Sequence, residues 1–581
     1  MAMQAFKLAS QADPNDAVLH GHLGAAARRQ GDLGQAETFL RSSLRQAPGQ
    51  IAVLNTLGNV LLQAGRPVDA LAAFDEGLVT AAQPYDLHFN RARALLALGR
   101  LVDAESSANN ARSLLPAPTS ALLHLQASID TAAGRIEAAR QVLEQAIAVN
   151  AAKASVHHDL ATVLQRLHRF DEALAAHSQA QAIGLDVADA HYNHGNTLQS
   201  LGRLEEALGA YRRALVREPA HRLALFDLAR LRWRLGHPDF DAELLLAEAD
   251  PAATPVARPL RAALLLRAKR FAEAAQGYRA ALAVAPHDVA LHDGLARCLM
   301  QLGHTGDALA AHERAVALGP TVTTLRATYA ASLLAAGQAG AAAQQAEAAL
   351  VLAPHDAYAL ALRGQAWREL GDAREVWLND YARFVAVIDL PAPAGYSDMA
   401  AFCNALGREL AALHVDREAP LDQTLQQGTQ TVGDLFEQAH PLVHALKARI
   451  AEAVQAYIDA LPADATHPFL SRRAAGWRFT DSWSSRLRRG GFHTPHVHPH
   501  GWISSVCYVA VPAAVHDTAR RAGWLHLGRP EFGEGPLTEA RRMVQPRVGR
   551  LVLFPSMFWH GTTPFEDAEA RLTIAFDVVP S

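Results

Sequence analysis

The sequence is poor in aromatic residues and cysteines, and it has no long run of charge of one sign. Phe, Trp and Tyr make up 6% of the 581 residues, and there are three cysteines, Cys298, Cys403 and Cys507. They lie too far apart for a CxxC zinc motif or a disulfide framework, which favours a reducing, cytoplasmic location. The 54 Lys and Arg residues nearly balance 58 Asp and Glu residues. We therefore predict no nucleic-acid partner and no binding to an anionic membrane surface.

Targeting and membrane-spanning segments are also lacking. The opening residues have no basic stretch followed by an apolar core, so no secretory signal is predicted. No apolar run approaches the roughly 20 residues that a membrane-spanning helix needs. Half of the residues are hydrophobic and 19% are charged, which is the composition of a folded protein, whereas a count of 28 histidines is unusual.

A period of 34 residues runs through the first two thirds of the chain. Small residues recur in this phase at Gly24, Gly58, Ala92, Ala161, Gly195, Ala229, Ala296, Ala330 and Gly364. One unit, from Ala190 to Pro219, adds a glycine at its turn, alanines in its second half and a closing proline. An ordinary helical bundle needs no fixed phase, and this pattern resembles the tetratricopeptide repeat. About ten units are predicted between residues 17 and 372.

The repeat pattern is irregular at two places. The unit that starts near Arg222 breaks down before the phase restarts near Pro255. At the start of the chain, four residues match the second helix of a preceding unit whose first helix is missing. These residues are Ala2, Phe6, Ala9 and Pro14. We expect either that translation begins upstream or that the chain is truncated.

The character of the sequence changes after residue 372. Two helices are expected, over Met399–His414 and over residues 440–461, and apolar residues then alternate with a period of two, which indicates strands. The candidate strands are Trp477–Leu487, Trp502–Val511, Gly523–Leu527, Gly549–Phe554 and Leu572–Val579. We predict a multidomain protein, with an all-α repeat solenoid over residues 1–372, a linker and helical support over 373–468, and a β-rich barrel or jelly roll over 469–581.

Two histidine clusters carry the candidate chemistry. The segment GGFHTPHVHPHGW contains His493, His496, His498 and His500. On an extended strand, the side chains of His496 and His498 leave the same face. The second segment, FPSMFWHGTTPF, places His560 just beyond an apolar strand, and Arg571 opens the next one. Three imidazoles can occupy one side of a metal's coordination sphere and leave the other positions open.

At these residues the sequence resembles the cupin-fold dioxygenases that use iron(II) and 2-oxoglutarate, in a bacterial branch with preceding tetratricopeptide repeats. The resemblance covers Pro420 to Ser581. It implies a double-stranded β-helix fold, with His496 and His560 as iron ligands and Arg571 as the clamp for the far carboxylate of 2-oxoglutarate. The family has a carboxylate where this chain has His498. The metal shell is then three histidines, or its anionic ligand is water or comes from elsewhere.

The remaining residues near the clusters have weaker assignments. His493 and His500 are expected to cap a turn or to orient a ligand, and Trp483 and Trp502 to line the core or the pocket. Asp577 shares a strand face with Arg571 but is expected to lie too deep to reach the metal. Arg571 has an alternative role as a surface residue paired with Glu566 or Asp567, and a histidine-rich tract can also bind metal adventitiously.

The reading that joins these features is a cytoplasmic dioxygenase that uses iron(II), 2-oxoglutarate and O2 to hydroxylate a C–H bond. Zinc also binds to sites of three histidines, so a metal-dependent hydrolase is one alternative. Against it, the His496–His500 stretch contains no Glu or Asp that could act as a general base. A repeat scaffold whose barrel has lost catalysis is the other. A cosubstrate clamp at Arg571 would be needless in either alternative.

The repeats predict a groove for a protein or peptide substrate. In this repeat type the first helix of each unit lines the concave surface, so its exposed positions recur every 34 residues. The ninth positions are Asn59, Arg93, Ser128, Thr162, Asn196, Arg230 and Arg297. Asparagine can hydrogen-bond an extended backbone, and arginine can select carboxylates. The alternative is a solvated inner face that binds nothing.

Overall fold

The structure, a computed structural model, describes residues 16–79, 84–414, 419, 421, 423–431, 433–438, 440–533 and 535–581. The chain divides into two compact units, with the division between Glu218 and Pro219. The expectation about Ala2, Phe6, Ala9 and Pro14 concerns residues outside these ranges.

The described part of the first unit is a row of six helix pairs. Its helices are α1 (Ala17–Arg29), α2 (Leu33–Gln46), α3 (Ile51–Gln63), α4 (Pro67–Val79), α5 (Tyr85–Ala97), α6 (Leu101–Ser113), α7 (Ser120–Ala132), α8 (Ile136–Val149), α9 (Ala154–Arg166), α10 (Phe170–Ala182), α11 (Ala188–Ser200) and α12 (Leu204–Arg217). The small residue predicted early in each unit is required by packing: a Cβ on Gly195 would lie 2.5 Å from Tyr211 Cε1. The turn glycine Gly202 has a φ of 72°, which glycine adopts without strain.

Side-chain hydrogen bonds join the first helices of successive repeats in this unit. Partners lie 35 residues apart, because one repeat contributes the fifth position of its first helix and the next repeat contributes the sixth. The pairs are Asn90 with Asn55 at 2.8 Å, His124 with Asp159, and Asn193 with His158 at 3.4 Å. These bonds lie within one turn of the ninth positions of the same helices, at which a partner was predicted to bind.

The second unit begins with the remaining repeats. Its helices are α13 (Arg222–Arg234), α14 (Ala242–Ala247), α15 (Thr254–Arg267), α16 (Phe271–Leu282), α17 (Val289–Gln301), α18 (Thr305–Leu318), α19 (Thr323–Ala335), α20 (Ala339–Leu352), α21 (Ala357–Leu370), α22 (Arg374–Leu378) and α23 (Tyr381–Phe384). The short α14 lies at the predicted break in the repeat phase. Ion pairs hold it there: Arg232 contacts Asp239 and Glu243, while Asp241 contacts Arg261 and Arg270.

A β-rich region with two further helices, α24 (Met399–Leu413) and α25 (Pro441–Ala460), completes the second unit. Its strands are β1 (Ala386–Asp389), β2 (Leu425–Gln430), β3 (Trp477–His493), β4 (Ile503–Ala510), β5 (Leu525–Leu527), β6 (Arg542–Val544), β7 (Arg550–Pro555), β8 (His560–Thr562) and β9 (Arg571–Pro580). They form an antiparallel six-stranded sheet, in the order β1-β7-β4-β9-β3-β2, and an antiparallel three-stranded sheet, in the order β6-β5-β8. The predicted fold class, a helical repeat solenoid followed by a β-rich domain consistent with a jelly roll, is confirmed.

The apolar core of the second unit is continuous from repeats to sheet. It includes Leu350 and Leu360 of the last repeats, Phe402 of α24, Ile450 of α25 and Tyr508 of β4. All three cysteines are buried and unpaired. Within the described ranges, no helix combines the length and the apolar character that crossing a membrane requires.

Candidate metal centre

Three of the predicted histidines lie together where strands of the two sheets meet. The main chains of His496 and His560 exchange two hydrogen bonds, each 2.9 Å long, and the His498 amide donates to Ser556 O at 3.1 Å. One ring nitrogen from each of His496, His498 and His560 lies within 4.8 Å of the other two. Main-chain pairing therefore fixes three imidazoles at the spacing that a single metal ion requires.

The hydrogen bonds of the three rings decide which nitrogen is free. Each Nδ1 faces an acceptor: Thr494 O for His496 at 2.8 Å, Phe558 O for His560 at 2.9 Å, and the Asp577 carboxylate for His498 at 2.7 Å. Carbonyl and carboxylate oxygens accept only, so each Nδ1 carries a hydrogen and each Nε2 keeps its lone pair. The Nε2 atoms of His496 and His498 are 3.2 Å apart. Two lone pairs this close to each other suit a shared metal ion.

The charges around the three rings differ. Burial, followed by the neighbouring histidines, lowers the pKa of His496 to about 3 and that of His560 well below its usual value. Burial also disfavours charge on His498, but the attraction of Asp577 and its hydrogen bond outweigh burial, so the pKa of His498 is raised. Two rings are therefore neutral and ready to bind a metal, while the third has an anionic partner.

Asp577 has a role that the sequence did not reveal. It is 7% exposed, and Ser504 Oγ donates to its Oδ1 at 2.6 Å. Both Asp577 oxygens lie 2.7 Å from His498 Nδ1. Position 498 thus has no carboxylate of its own, but the Asp577 carboxylate contacts the His498 ring on the side of Nδ1. Only the register that pairs Ser504 with Asp577 across β4 and β9 could have indicated this contact.

The other two histidines of the first cluster lie outside the group of three. His493 Nδ1 is 3.3 Å from Thr424 Oγ1, and its ring centroid is 6.1 Å from that of His496. Burial, His496 and Arg571 lower the pKa of His493, in that order. His493 is therefore near both His496 and Arg571, whereas His500 lies exposed in a turn.

Arg571 is a buried cation without an anionic partner in the described part of the chain. It is 2% exposed, its guanidinium carbon lies 5.1 Å from the centroid of the Tyr508 ring, and its Nε has no hydrogen-bond partner. Glu566 pairs with Arg489 instead, and Asp567 accepts from the Ala514 amide. Burying an unpaired charge is costly, so the arrangement favours an anionic ligand at Arg571.

The sheet places this arginine and the histidines on one surface. Arg571, Thr573 and Asp577 are alternate residues of β9, so their side chains leave the same face. Thr573 pairs directly with Tyr508 of β4 and Ser485 of β3, and such neighbours share a face. The Tyr508 hydroxyl and Ser485 Oγ are buried without partners. We call Arg571, Thr573, Tyr508 and Ser485 the polar wall.

Two tryptophans and one further histidine complete the surroundings. The Trp483 ring centroid is 5.6 Å from that of His498, while Trp502 is buried and donates to Phe469 O at 2.8 Å. His526, which the sequence analysis missed, is 4% exposed and has an unpartnered Nδ1. It pairs with Gly561, and His560 pairs with Leu527, so the His526 ring lies on the opposite face from His560.

The candidate groove residues have different environments. Asn59 is 8% exposed, whereas Arg93 and Arg297 are exposed. Asn196 accepts from the Tyr211 hydroxyl at 2.8 Å, and the Arg230 guanidinium lies 5.1 Å from the Phe226 ring centroid. Ser128 and Thr162 hydrogen-bond to main-chain oxygens of their own helices.

Comparisons with known proteins agree with both halves of the chain. A family model described as "Putative 2OG-Fe(II) oxygenase" matches residues 481–577. Models of the tetratricopeptide repeat match residues 55–116, 192–255 and 265–327. No curated protein matches the sequence. The chain thus has tetratricopeptide repeats followed by a region, residues 481–577, that matches the putative 2OG-Fe(II) oxygenase family.

Similar solved structures include three with low identity. Yeast Tom70 is 16% identical, with 64% of this chain and 92% of that chain covered and a TM-score of 0.30. A tetratricopeptide repeat protein from Parabacteroides merdae is 18% identical, with 48% and 98% covered and a TM-score of 0.29. Pseudomonas aeruginosa PilF is 16% identical, with 36% and 94% covered and a TM-score of 0.32.

Proposed function

We propose that this protein is an iron(II)- and 2-oxoglutarate-dependent dioxygenase that hydroxylates a protein or peptide recruited by its repeats. The observation that carries the proposal is that three imidazoles with inward lone pairs share one surface with an unpaired, buried arginine. An enzyme of this class needs both a site for iron and a site for a dicarboxylate. A cytoplasmic location remains a prediction from the isolated, unpaired cysteines.

The residues fit the metal. His496, His498 and His560 would hold iron(II) through their Nε2 atoms, because each Nδ1 is engaged by an acceptor. Asp577 would orient the His498 ring and increase its basicity, as carboxylates behind metal-bound histidines do. Its charge would also offset part of the excess positive charge that a neutral His498 leaves at the centre.

The polar wall fits the cosubstrate. Arg571 offers a planar fork of donors that stays charged at any working pH, and a carboxylate accepts two parallel hydrogen bonds from such a fork. The unpartnered hydroxyls of Tyr508 and Ser485 provide further donors on the same face. His493, near both Arg571 and His496, would lie between the two sites. The far carboxylate of 2-oxoglutarate would thus satisfy polar groups that are otherwise left without partners.

The chain's own residues then orient and shield the reactants. When bound, iron(II) with 2-oxoglutarate supplies the oxidation of a C–H bond by O2, with decarboxylation of the cosubstrate to succinate. Arg571 would hold one end of the cosubstrate and the three rings would hold the metal, while the Trp483 ring lies 5.6 Å from that of His498. The apolar surroundings formed by Phe554, 4.7 Å from the His560 ring, help to exclude water.

The alternative functions are less well supported. A hydrolase requires a general base beside the metal, and Asp577 is committed to His498 and Ser504. A scaffold that had lost catalysis has no need to bury an unpaired arginine next to three preorganised histidines. Neither alternative explains Arg571.

We assign substrate recruitment to the groove of the first unit. Arg93 Nη1 donates to Asn59 Oδ1 at 3.2 Å and to Asn90 Oδ1 at 3.1 Å, and Arg93 pairs with no acid in the described part of the unit. Asn90 is 7% exposed, so buried amides hold an exposed cation in a fixed position. Arg93 would bind a carboxylate of the substrate, and Asn196 would contact its backbone.

The groove of the second unit has another use. Its first helices hydrogen-bond to the β-rich region through four side chains, those of Trp233, Tyr358, Gln365 and Arg368. Arg230 and Arg297 lie among these first helices and would bind substrate only at positions that those contacts leave open.

The proposal is tested by anaerobic titration of the protein with iron(II) and then 2-oxoglutarate. We expect a visible charge-transfer band that requires both additions, and succinate formation once oxygen is admitted. Arg571→Gln should lose the band at cosubstrate concentrations that saturate the wild type. Arg489→Gln removes a cation that is exposed and paired with Glu566, so it should behave as the wild type. Metal binding without the band would support a hydrolase, and no metal binding would support a scaffold.

A further inference from the structure

The residues between and beside the candidate ligands face away from the metal. Val497 separates His496 from His498, and Trp559 precedes His560, so both side chains leave the opposite face from the imidazoles. Val497 is 8% exposed and Trp559 is 4% exposed. Both are therefore covered by another part of the second unit.

The covering residues belong to the last repeats. Val497 and Trp559 share one apolar cluster with residues of three helices: Ala327, Ala330, Leu333 and Leu334 of α19, Ala339, Ala342, Ala343 and Ala346 of α20, and Ala361, Leu362 and Ala366 of α21. All four members of the cluster on α20 are alanines, which have small side chains. The strand segments that carry all three histidines thus rest on the repeat solenoid.

Ring contacts define the position of Trp559. Its ring meets the Tyr358 ring of α21 edge to face at 5.9 Å and the Phe532 ring at 5.8 Å. The Tyr358 hydroxyl donates to Glu531 Oε1 at 3.0 Å, which ties the loop that carries Phe532 to the same helix. Trp559 Nε1 is buried without a partner. The Trp559 ring is therefore held by packing against its neighbours and not by a hydrogen bond from its own N–H.

Hydrogen bonds connect α21 to the main chain at the same place. Arg368 Nη1 donates to Gly528 O at 2.9 Å, and the Gly528 amide donates to Trp559 O at 2.7 Å. Arg368 is 9% exposed and also donates to Pro536 O and Glu539 O, at 3.2 and 3.0 Å. A buried guanidinium of the last complete repeat helix therefore fixes the peptide just before His560.

We infer that Trp559 is a positioning residue through which α21 sets the orientation of His560, so that the last repeats are a working part of the metal centre. This inference rests on the proposed function, because it assumes that the three histidines bind a metal. Interactions behind metal ligands commonly change metal affinity by about 10–100-fold when they are removed. The same coupling means that a partner which shifts α21 would change metal affinity.

The test uses cobalt(II) as the probe, because its visible absorption reports both affinity and ligand geometry. We expect Trp559→Leu in the full chain to weaken cobalt(II) binding about tenfold or more and to shift the absorption bands. Trp559→Phe keeps a ring and removes only the unpartnered N–H, so it should bind cobalt(II) almost as the wild type does. Trp367→Leu is the control, because Trp367 is also 4% exposed and lies on α21, but it packs against Arg363 and Arg374 instead.

The outcomes separate this inference from the proposed function. A wild-type protein that binds no cobalt(II) refutes the metal site, and the inference with it. A wild type that binds, with Trp559→Leu unchanged in affinity and spectrum, overturns the inference alone. An equal loss in Trp367→Leu also overturns it, because the effect would then be one of general stability. If Trp559→Leu does not fold, the test uses Tyr358→Leu, which changes the α21 side of the same ring contact. The inference then stands only if Tyr358→Leu shifts the cobalt(II) spectrum.

Discussion

Asp577 accepts a hydrogen bond from His498 Nδ1, with both carboxylate oxygens 2.7 Å from the ring nitrogen. The family resembled by this sequence has a carboxylate at position 498 itself. Here the negative charge belongs to Asp577 on β9. It would act on the metal through the His498 ring, which lies between the carboxylate and the candidate metal position.

Asp577→Asn should weaken iron binding by about 10–100-fold, because the amide removes the charge that orients His498 and increases its basicity. Bound iron, measured by elemental analysis across a range of added iron(II), checks this expectation. Asp389→Asn is a suitable control, since Asp389 is an exposed carboxylate that pairs with Arg550. Full occupancy of Asp577→Asn at the lowest iron concentration would contradict the role.

His496→Ala and His560→Ala should each lose bound iron, because each removes one of three ligands. His493→Ala should retain it, since that ring lies outside the group of three. The variant should instead weaken 2-oxoglutarate binding, because the His493 ring is close to His496 and is influenced by the charge of Arg571. Iron content and cosubstrate affinity are measured on the same preparations. Iron retained by His560→Ala would refute the ligand assignment.

Arg571→Lys should weaken 2-oxoglutarate binding more than it weakens iron binding. Lysine keeps the charge but loses the planar fork that meets a carboxylate with two hydrogen bonds. The dependence of succinate production on 2-oxoglutarate gives the first quantity, and iron content gives the second. A wild-type dependence on 2-oxoglutarate would show that Arg571 has another role.

The groove predicts binding of acidic peptides to the first unit. A blocked peptide of alternating glycine and glutamate should bind the full chain more tightly than its glutamine counterpart, as measured by fluorescence anisotropy. Arg93→Gln should reduce the difference about tenfold or more, since a charge-assisted hydrogen bond contributes at least about 1.5 kcal/mol. Arg112→Gln is the control, because it removes an exposed cation that donates to Leu115 O. Equal effects of the two variants would indicate nonspecific attraction.

A wider test of recruitment combines Asn59→Ala, Asn196→Ala and Arg230→Ala. We expect the triple variant to trap fewer proteins from lysate under anaerobic conditions than the wild type, while its iron content stays the same. Unchanged capture, together with hydroxylation of a free small molecule, would refute a macromolecular substrate.

Acid should destabilise the first unit through a column of buried histidines. The ring centroids of His158 and His177 are 5.6 Å apart, and those of His177 and His194 are 5.7 Å apart. Burial, followed by the two neighbouring histidines, lowers the pKa of His177 to about 3, and burial, followed by Arg213, lowers that of His194 to about 4. Because these folded-state values lie below the unfolded value near 6.5, the stability is fully present above pH 6.5 and is lost as pH falls towards 4.

The loss from His177 alone should be on the order of 3 kcal/mol between pH 6.5 and 4. Denaturant unfolding followed at several pH values measures it. His177→Phe should flatten the dependence, whereas His168→Asn, at an exposed position, should not. An unchanged slope in His177→Phe would show that this ring is not protonated on unfolding.

The repeats could be predicted from the sequence, because the same helix packing requires the same small residues in each unit. Gly195 had to be small, since Tyr211 occupies the space beside it. The five strands with a period of two are present, but β1, β2, β6 and β8 were missed. The four residues of β1 and the three residues each of β6 and β8 are too few to show a period, and β2 reads LQQGTQ, which lacks alternation.

For the candidate site, the sequence was enough to group His496, His498 and His560. Two histidines two residues apart on a strand, and a third at the end of a distant apolar strand, can be recognised from the sequence. The contacts of Asp577, Tyr508 and Ser485 could not be recognised in this way. They depend on the register between β3, β4 and β9, and a shift of one residue would turn every side chain to the other face. The support of Trp559 by α21 depends on tertiary packing between residues about 200 positions apart.

That support has a practical meaning for building chimaeras. A piece cut at the end of the repeat pattern, near residue 372, would carry the three histidines but leave Val497 and Trp559 facing solvent where α19, α20 and α21 now cover them. Two large apolar surfaces exposed in this way favour aggregation. The smallest transferable piece that keeps the candidate metal centre covered therefore starts before Thr323, and a graft that begins at Pro219 would include the covering helices.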